Sequence, residues 1–148
     1  MAAGEIAKTV LESATFLSVI GYFFQKYIAE PRQVIAKLIT NVDADLVFYA
    51  NMWANPFTAS NARGLRAEDE LRRHAADIRA AIRGIGPIRR FFLFGLPTTD
   101  DLHQSSGLLI RMANSITVPE GEQGEAAKRN RDAEARIRTL LRIPDGTA

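Results

Sequence analysis

Few residues in this chain have the types and spacing that chemistry requires. His74 and His103 lie far apart in sequence, on different predicted helices, and solitary histidines of this kind serve more often as surface or capping groups than as bases or ligands. Asp43 and Asp45 are close along the chain, as are Asp100 and Asp101, but acids one or two positions apart on a helix diverge and do not converge on a metal ion. There is no cysteine, which excludes disulfides, thiolate nucleophiles and sulfur-ligated metals. No His-Glu-x-x-His, phosphate-cradling Gly-x-x-x-x-Gly-Lys or Gly-x-Ser-x-Gly occurs. The chain is therefore read as a non-enzyme, with no catalytic, cofactor-binding or metal-ligating residue assigned and no small-molecule substrate identified.

One carboxylate stands out by its place. A helix predicted from Gln33 to about Ala54 gathers Ile35, Leu38, Val42, Tyr49 and Trp53 on one side, with Val34 and Met52 flanking them. Asp45 falls inside that apolar stripe, where a charge is costly unless paired or hydrogen-bonded. Asn41 and Tyr49 are its local donors, and an arginine from another helix is a fitting counter-ion. With no second acid or histidine in evidence beside it, Asp45 is expected to be a buried polar contact that sets helix register, in preference to a ligand or proton site.

The elements that position these groups begin with an apolar run. From Thr9 to Gln25 the only charge is Glu12, and Phe16, Leu17, Val19, Ile20, Tyr22, Phe23 and Phe24 spread around the whole helix circumference. A helix without a polar side must be enclosed by lipid or by protein. From Ile6 to Ile28 it is roughly 34 Å long, enough for a hydrocarbon core of about 30 Å. Spanning then requires Glu12 near an interface, where its cost falls well below the roughly 3 kcal/mol of a carboxylate at the bilayer centre. Tyr22 and Tyr27 form an aromatic belt and Lys26 snorkels to the headgroups. Lys26, Arg32 and Lys37 follow the run, against Lys8 before it, so the rest of the chain is expected on the cytoplasmic side of the inner membrane. Ala14, Ser18 and Gly21 offer a small-residue surface on which two such helices could meet.

Pro31 is expected to end or kink this element. After the Asn55-Pro56 loop, a third helix from about Ala67 to Ile85 carries Leu71, Ala75, Ile78, Ile82 and Ile85 on one face, with Glu68, Asp69 and Glu70 in its first turn, where the helix dipole favours negative charge. Arg72 and Arg73 have acids one turn earlier, whereas Arg79 and Arg83 have none at three or four positions. Arg89 and Arg90 lead directly into Phe91, Phe92 and Phe94. Arginines beside phenylalanines suit an anionic lipid surface, and this group is a candidate lipid-contact patch; its rival is a phenylalanine cap on the core with solvated arginines. Nucleic-acid binding is a third reading below both: the stretch is a short basic patch, but the formal charge is only +2 and there is no RNA-binding sheet signature, zinc-finger spacing or recognition helix, so no nucleic-acid partner is expected.

Thr98 followed by Asp101 marks the start of a fourth helix whose inner face is Leu102, Ser106, Leu109, Met112, Ala113 and Ile116, with Asn114 and Ser115 at its end. Gly121 to Gly124 reads as a linker before a last helix, about Glu125 to Arg142, with Ala133, Ile137, Leu140 and Leu141 as its sparse apolar side. The expected architecture is all-α: an anchor helix that is transmembrane or fully buried over residues 1–30, a helical domain over 31–118, and a linker and docking helix over 119–148.

Several short motifs carry a resemblance: Phe24-Gln-Lys-Tyr-Ile-Ala-Glu-Pro31, Leu46-Val-Phe-Tyr-Ala-Asn51 with Asn55-Pro56, Leu96-Pro97 before Asp100-Asp101, Met112-Ala-Asn-Ser115 and Ile137-Arg-Thr-Leu-Leu-Arg-Ile143. In these the chain resembles a widespread group of small bacterial single-pass membrane proteins of unknown function with a cytoplasmic helical domain. The resemblance implies a membrane anchor and no catalytic residue. The expected partners are the lipid bilayer and a membrane protein or a second copy of the chain. The alternative is a soluble all-α bundle that homo-oligomerises through residues 14–24.

Overall fold

A computed structural model describes residues 15–58, 62–85 and 94–144. Residues 15–48 run as one helical rod. Residues 15–24 are helical, pass into a π-helical turn at Gln25–Ala29, and continue as α1, Glu30–Phe48. Pro31 therefore does not end the element. A proline inside an α-helix removes one N–H and collides with the carbonyl four residues back. The π-turn just ahead of it, closed by the Glu30 N–H donating to the Gln25 carbonyl, changes the bonding pattern and leaves Pro31 in the first turn of α1.

The helix expected to continue to Ala54 breaks at Tyr49 and resumes as α2, Ala50–Ala54. Trp53 Nε1 donates to the Leu46 carbonyl at 3.2 Å, which fixes that corner. The third helix, α3, spans Ala62–Gly84. It begins five residues earlier than expected, so Glu68, Asp69 and Glu70 lie beyond its first turn. At the head of α4, Thr99–Asn114, the capping box is complete: the Asp101 N–H donates to Thr98 Oγ1 and the Thr98 N–H to Asp101 Oδ2. Helix α5, Gln123–Leu141, stops with Arg142 in the left-handed region (φ 57°), and the Ile143 N–H closes back on the Arg138 carbonyl at 2.9 Å.

The architecture is all-α. Helix α3 packs along α4, α4 along α5, and α1 lies against α3. Ile35, Val42 and Leu46 of α1 meet Leu71, Ala75, Ile78 and Ile82 of α3, with Leu109 and Met112 of α4 and Ile137 and Leu141 of α5 in the same core. All but Leu46 come from the apolar stripe their helix was expected to bury; within the stripe of α1, Leu38 is only partly buried and Val34, at its edge, is exposed. The loops at Phe57 and Thr117 are joined by a parallel bridge, through Phe57 N–H to the Ile116 carbonyl and Val118 N–H to the Phe57 carbonyl. Polar side chains tie α5 to this frame. Asn130, buried, donates to the Trp53 carbonyl at 2.8 Å and accepts from Ser115 Oγ. Arg138 donates to Glu134 Oε1 at 2.6 Å and Asp43 Oδ1 at 2.9 Å. The Glu134 bond, joined by Asp43, holds its guanidinium above the ordinary arginine value against the opposing effect of burial.

Among the described residues no helix is long and apolar enough to cross a membrane. The span expected from Ile6 to Ile28 is thus described only from residue 15 onward, and its first half lies outside the described residues. Burial within the chain, the other expectation for this segment, is corrected outright: every residue from 15 to 24 is exposed.

Candidate functional site

Two features of the fold carry chemistry, and they lie on the same rod. The first is the stem formed by residues 15–29. Phe16, Leu17, Val19, Ile20, Tyr22, Phe23 and Phe24 are between 48% and 67% exposed, and they occupy all sides of the helix because their spacing leaves no polar face. Its base is ordered by local contacts. Phe23 stacks on Tyr27 with ring centroids 5.5 Å apart, and Lys26 Nζ donates to Tyr22 Oη at 3.0 Å while lying 5.4 Å from that ring's centroid. Arg32 Nη1 donates to the Phe94 carbonyl at 2.8 Å, so the loop ahead of α4 is held against the stem, and Phe94 lines a groove with Phe24, Ile28 and Ala29. The Phe94 ring is itself 66% exposed and extends the apolar surface from the stem onto the body.

The candidate lipid-contact residues divide. Arg83 is exposed in the last turn of α3, whose end abuts Lys26, Glu30 and Pro31, so it shares the stem's end of the molecule with Phe94. Arg79 instead donates through Nε to Ser106 Oγ of α4 at 3.2 Å. Arg89, Arg90, Phe91 and Phe92 lie outside the described residues.

The second feature is a cluster around Asp45. Asp45 is half-buried, and its partner is neither Asn41, Tyr49 nor an arginine: Oδ2 lies 2.7 Å from Nε2 of His74. His74, expected as a surface or capping group, has a side chain only 3% exposed. Glu70, one helical turn before His74 on α3, completes the group, and one ligand-type atom from each of Asp45, Glu70 and His74 falls within 4.8 Å of the others. The expectation that no second acid or histidine accompanies Asp45 is corrected by this contact between helices. Glu70 also faces Arg73 as an ion pair, so Arg73 takes Glu70 as partner at i,i−3, while Arg72 pairs with Glu68 as expected. Glu70 Oε2 is buried with Arg73 as its ion-pair partner, and His74 Nδ1 is buried without a hydrogen-bond partner. His103, by contrast, is exposed as expected.

The chain matches no family model, and neither a curated protein nor a solved structure shows significant similarity to it.

Proposed function

We propose that this protein is a membrane-anchored helical module, without catalytic activity, that holds its helical body at the cytoplasmic face of the inner membrane and presents it to a protein partner or to anionic lipid. The observation that carries this reading is the stem: ten consecutive helical residues with large apolar side chains exposed on every side, continuous with the helix that builds the core. Covering one such side chain is worth roughly 1.5–3 kcal/mol, and a patch of this size is uncommon on a monomer in water. Lipid covers all sides of a helix at once, which one neighbouring helix does not.

The placement of charge supports the orientation. Lys26, Arg32 and Lys37 all follow the apolar run, at the end where Arg83 and Phe94 are exposed. Cations flanking the cytoplasmic end of a span are worth about 1 kcal/mol each near anionic headgroups. Carbonate extraction of membranes from producing cells tests the anchor: the protein stays in the pellet, and its release intact would overturn the reading. A second reading, association of copies through residues 14–24, draws on Gly21, around which space is open on the stem surface. It predicts release as a discrete oligomer.

A further inference from the structure

We propose that Asp45, Glu70 and His74 form a site for one divalent transition-metal ion of the zinc type, which clamps α1 to α3. This inference stands on the body of the protein alone and is independent of how the stem is covered.

The donor set suits such an ion. Two carboxylate oxygens and one imidazole nitrogen lie within 4.8 Å of one another. Ligands bound to zinc at about 2.0–2.2 Å in tetrahedral geometry are roughly 3.4 Å apart, so side-chain rotations of about an ångström close the shell and leave a fourth position for water. Mixed nitrogen and oxygen donors are those that zinc and its neighbours accept. Glu70 and His74 are four residues apart on α3 and so share one face. In a helix the later side chain leans back over the earlier turn. Asp45 comes from the opposing helix, and two carboxylates with a neutral imidazole balance the charge of a divalent cation.

The bonding around the cluster points the same way. His74 Nε2 and Asp45 Oδ2 already face each other at 2.7 Å, and the other ring nitrogen, Nδ1, is buried without a hydrogen-bond partner, so no second contact fixes the ring in one tautomer. Glu70 Oε2 is buried as well, and the Arg73 guanidinium is its ion-pair partner. Unpartnered buried nitrogens such as Nδ1 are few in folded proteins, and this one belongs to the residue that already meets Asp45. Arg73 pairs with Glu70, but its side chain is 63% exposed, and ion pairs of that exposure are weak and easily given up to water. The consequence is mechanical: α1 is the continuation of the stem and α3 belongs to the body, so an ion bound between them fixes the stem's direction relative to the bundle.

The test uses the full chain in detergent micelles, stripped with chelator and titrated with zinc chloride by calorimetry, with cobalt(II) as a spectroscopic probe. One ion binds per chain with a micromolar or tighter Kd, cobalt gives the intense visible bands of a low-coordinate site, and a hundredfold excess of zinc over Kd raises Tm by roughly 5 °C or more. E70Q and D45N, at side chains that are partly exposed, each weaken zinc binding at least about tenfold. E70Q does so while melting within a degree or two of the wild type in the absence of metal. H103Q binds as the wild type does. The proposal is overturned if zinc fails to bind below millimolar concentration, if E70Q and D45N bind it undiminished, or if H103Q abolishes binding.

Discussion

Arg138 reaches from the last helix to Asp43 on the rod, Nη1 to Oδ1 at 2.9 Å, across 95 residues of sequence. The same guanidinium is held from the other side by Glu134 Oε1 at 2.6 Å, so α5 docks with its charge pre-aimed. This pairing joins the first and last elements of the bundle, and its worth depends on exposure. Arg138 is 18% exposed but Asp43 is 40% exposed, which leaves that arm substantially screened by water. R138A is expected to destabilise by about 1–2 kcal/mol, through lost packing of the stem as well as lost hydrogen bonds, and D43N by about 0.5 kcal/mol. Urea denaturation of the two single variants and the double variant checks this. A coupling above about 1 kcal/mol would contradict the screening argument.

Asn130 shows the opposite balance. It is 2% exposed, and its amide both donates to the Trp53 carbonyl and accepts from Ser115. N130A leaves a buried carbonyl unpaired and is expected to cost about 2–3 kcal/mol. N130D is expected to cost more, because a carboxylate then faces the Trp53 carbonyl with no donor between them. Thermal unfolding of both variants gives the order, and N130D as stable as N130A would refute it.

These two residues also mark what was legible in the sequence. Apolar periodicity placed Leu71, Ala75, Ile78 and Ile82 on one face of α3, and Leu102, Leu109 and Met112 on one face of α4, because burial repeats with the helical turn. Thr98 and Asp101 were legible because a cap is local. Asn130 was not, since it sits among Lys128, Arg129, Arg131 and Asp132 and nothing in a charged run separates the one member that turns inward. The Asp45–His74 contact depends on which helices cross and where, which periodicity does not encode. Glu70 was hidden for a related reason. The small and polar residues from Phe57 to Gly64 read as loop, which puts Glu70 in the first turn of a helix expected from Ala67, whereas α3 starts at Ala62 and carries Glu70 alongside His74. The passage through Pro31 was equally illegible, because the π-turn that permits it has no period of its own.

The Thr98–Asp101 box predicts a pH dependence. Bonds from Thr98, the backbone N–H first and the hydroxyl second, hold the Asp101 carboxyl below its ordinary value of 3.8. A carboxylate whose folded-state value is depressed stabilises the fold above its unfolded value and loses that contribution as pH falls through the folded one. The cap is therefore fully effective at neutral pH and weakens below about 3.8. T98A is expected to cost about 1 kcal/mol at pH 7. D101N should flatten the acid limb of a plot of urea midpoint against pH, and a limb as steep in D101N as in the wild type would exclude Asp101 as a contributor.

Leu17 and Val19 provide the sharpest test of what covers the stem. Two positions apart on a helix, they point to nearly opposite sides, and both lie near the middle of a span counted from Ile6 to Ile28. In lipid the cost of a charge depends on depth and not on side, so L17R and V19R should each lose about 2.5–3.5 kcal/mol of insertion free energy, while F24R, close to the headgroups, loses far less. If instead the stem is covered by a second copy, the cost depends on which side faces the partner, and one of the central pair is tolerated. The measurement is the fraction of each variant retained in carbonate-washed membranes. Equal loss for L17R and V19R with retention of F24R supports the bilayer, and retention of either central variant at the wild-type level rules it out as the sole cover of this helix.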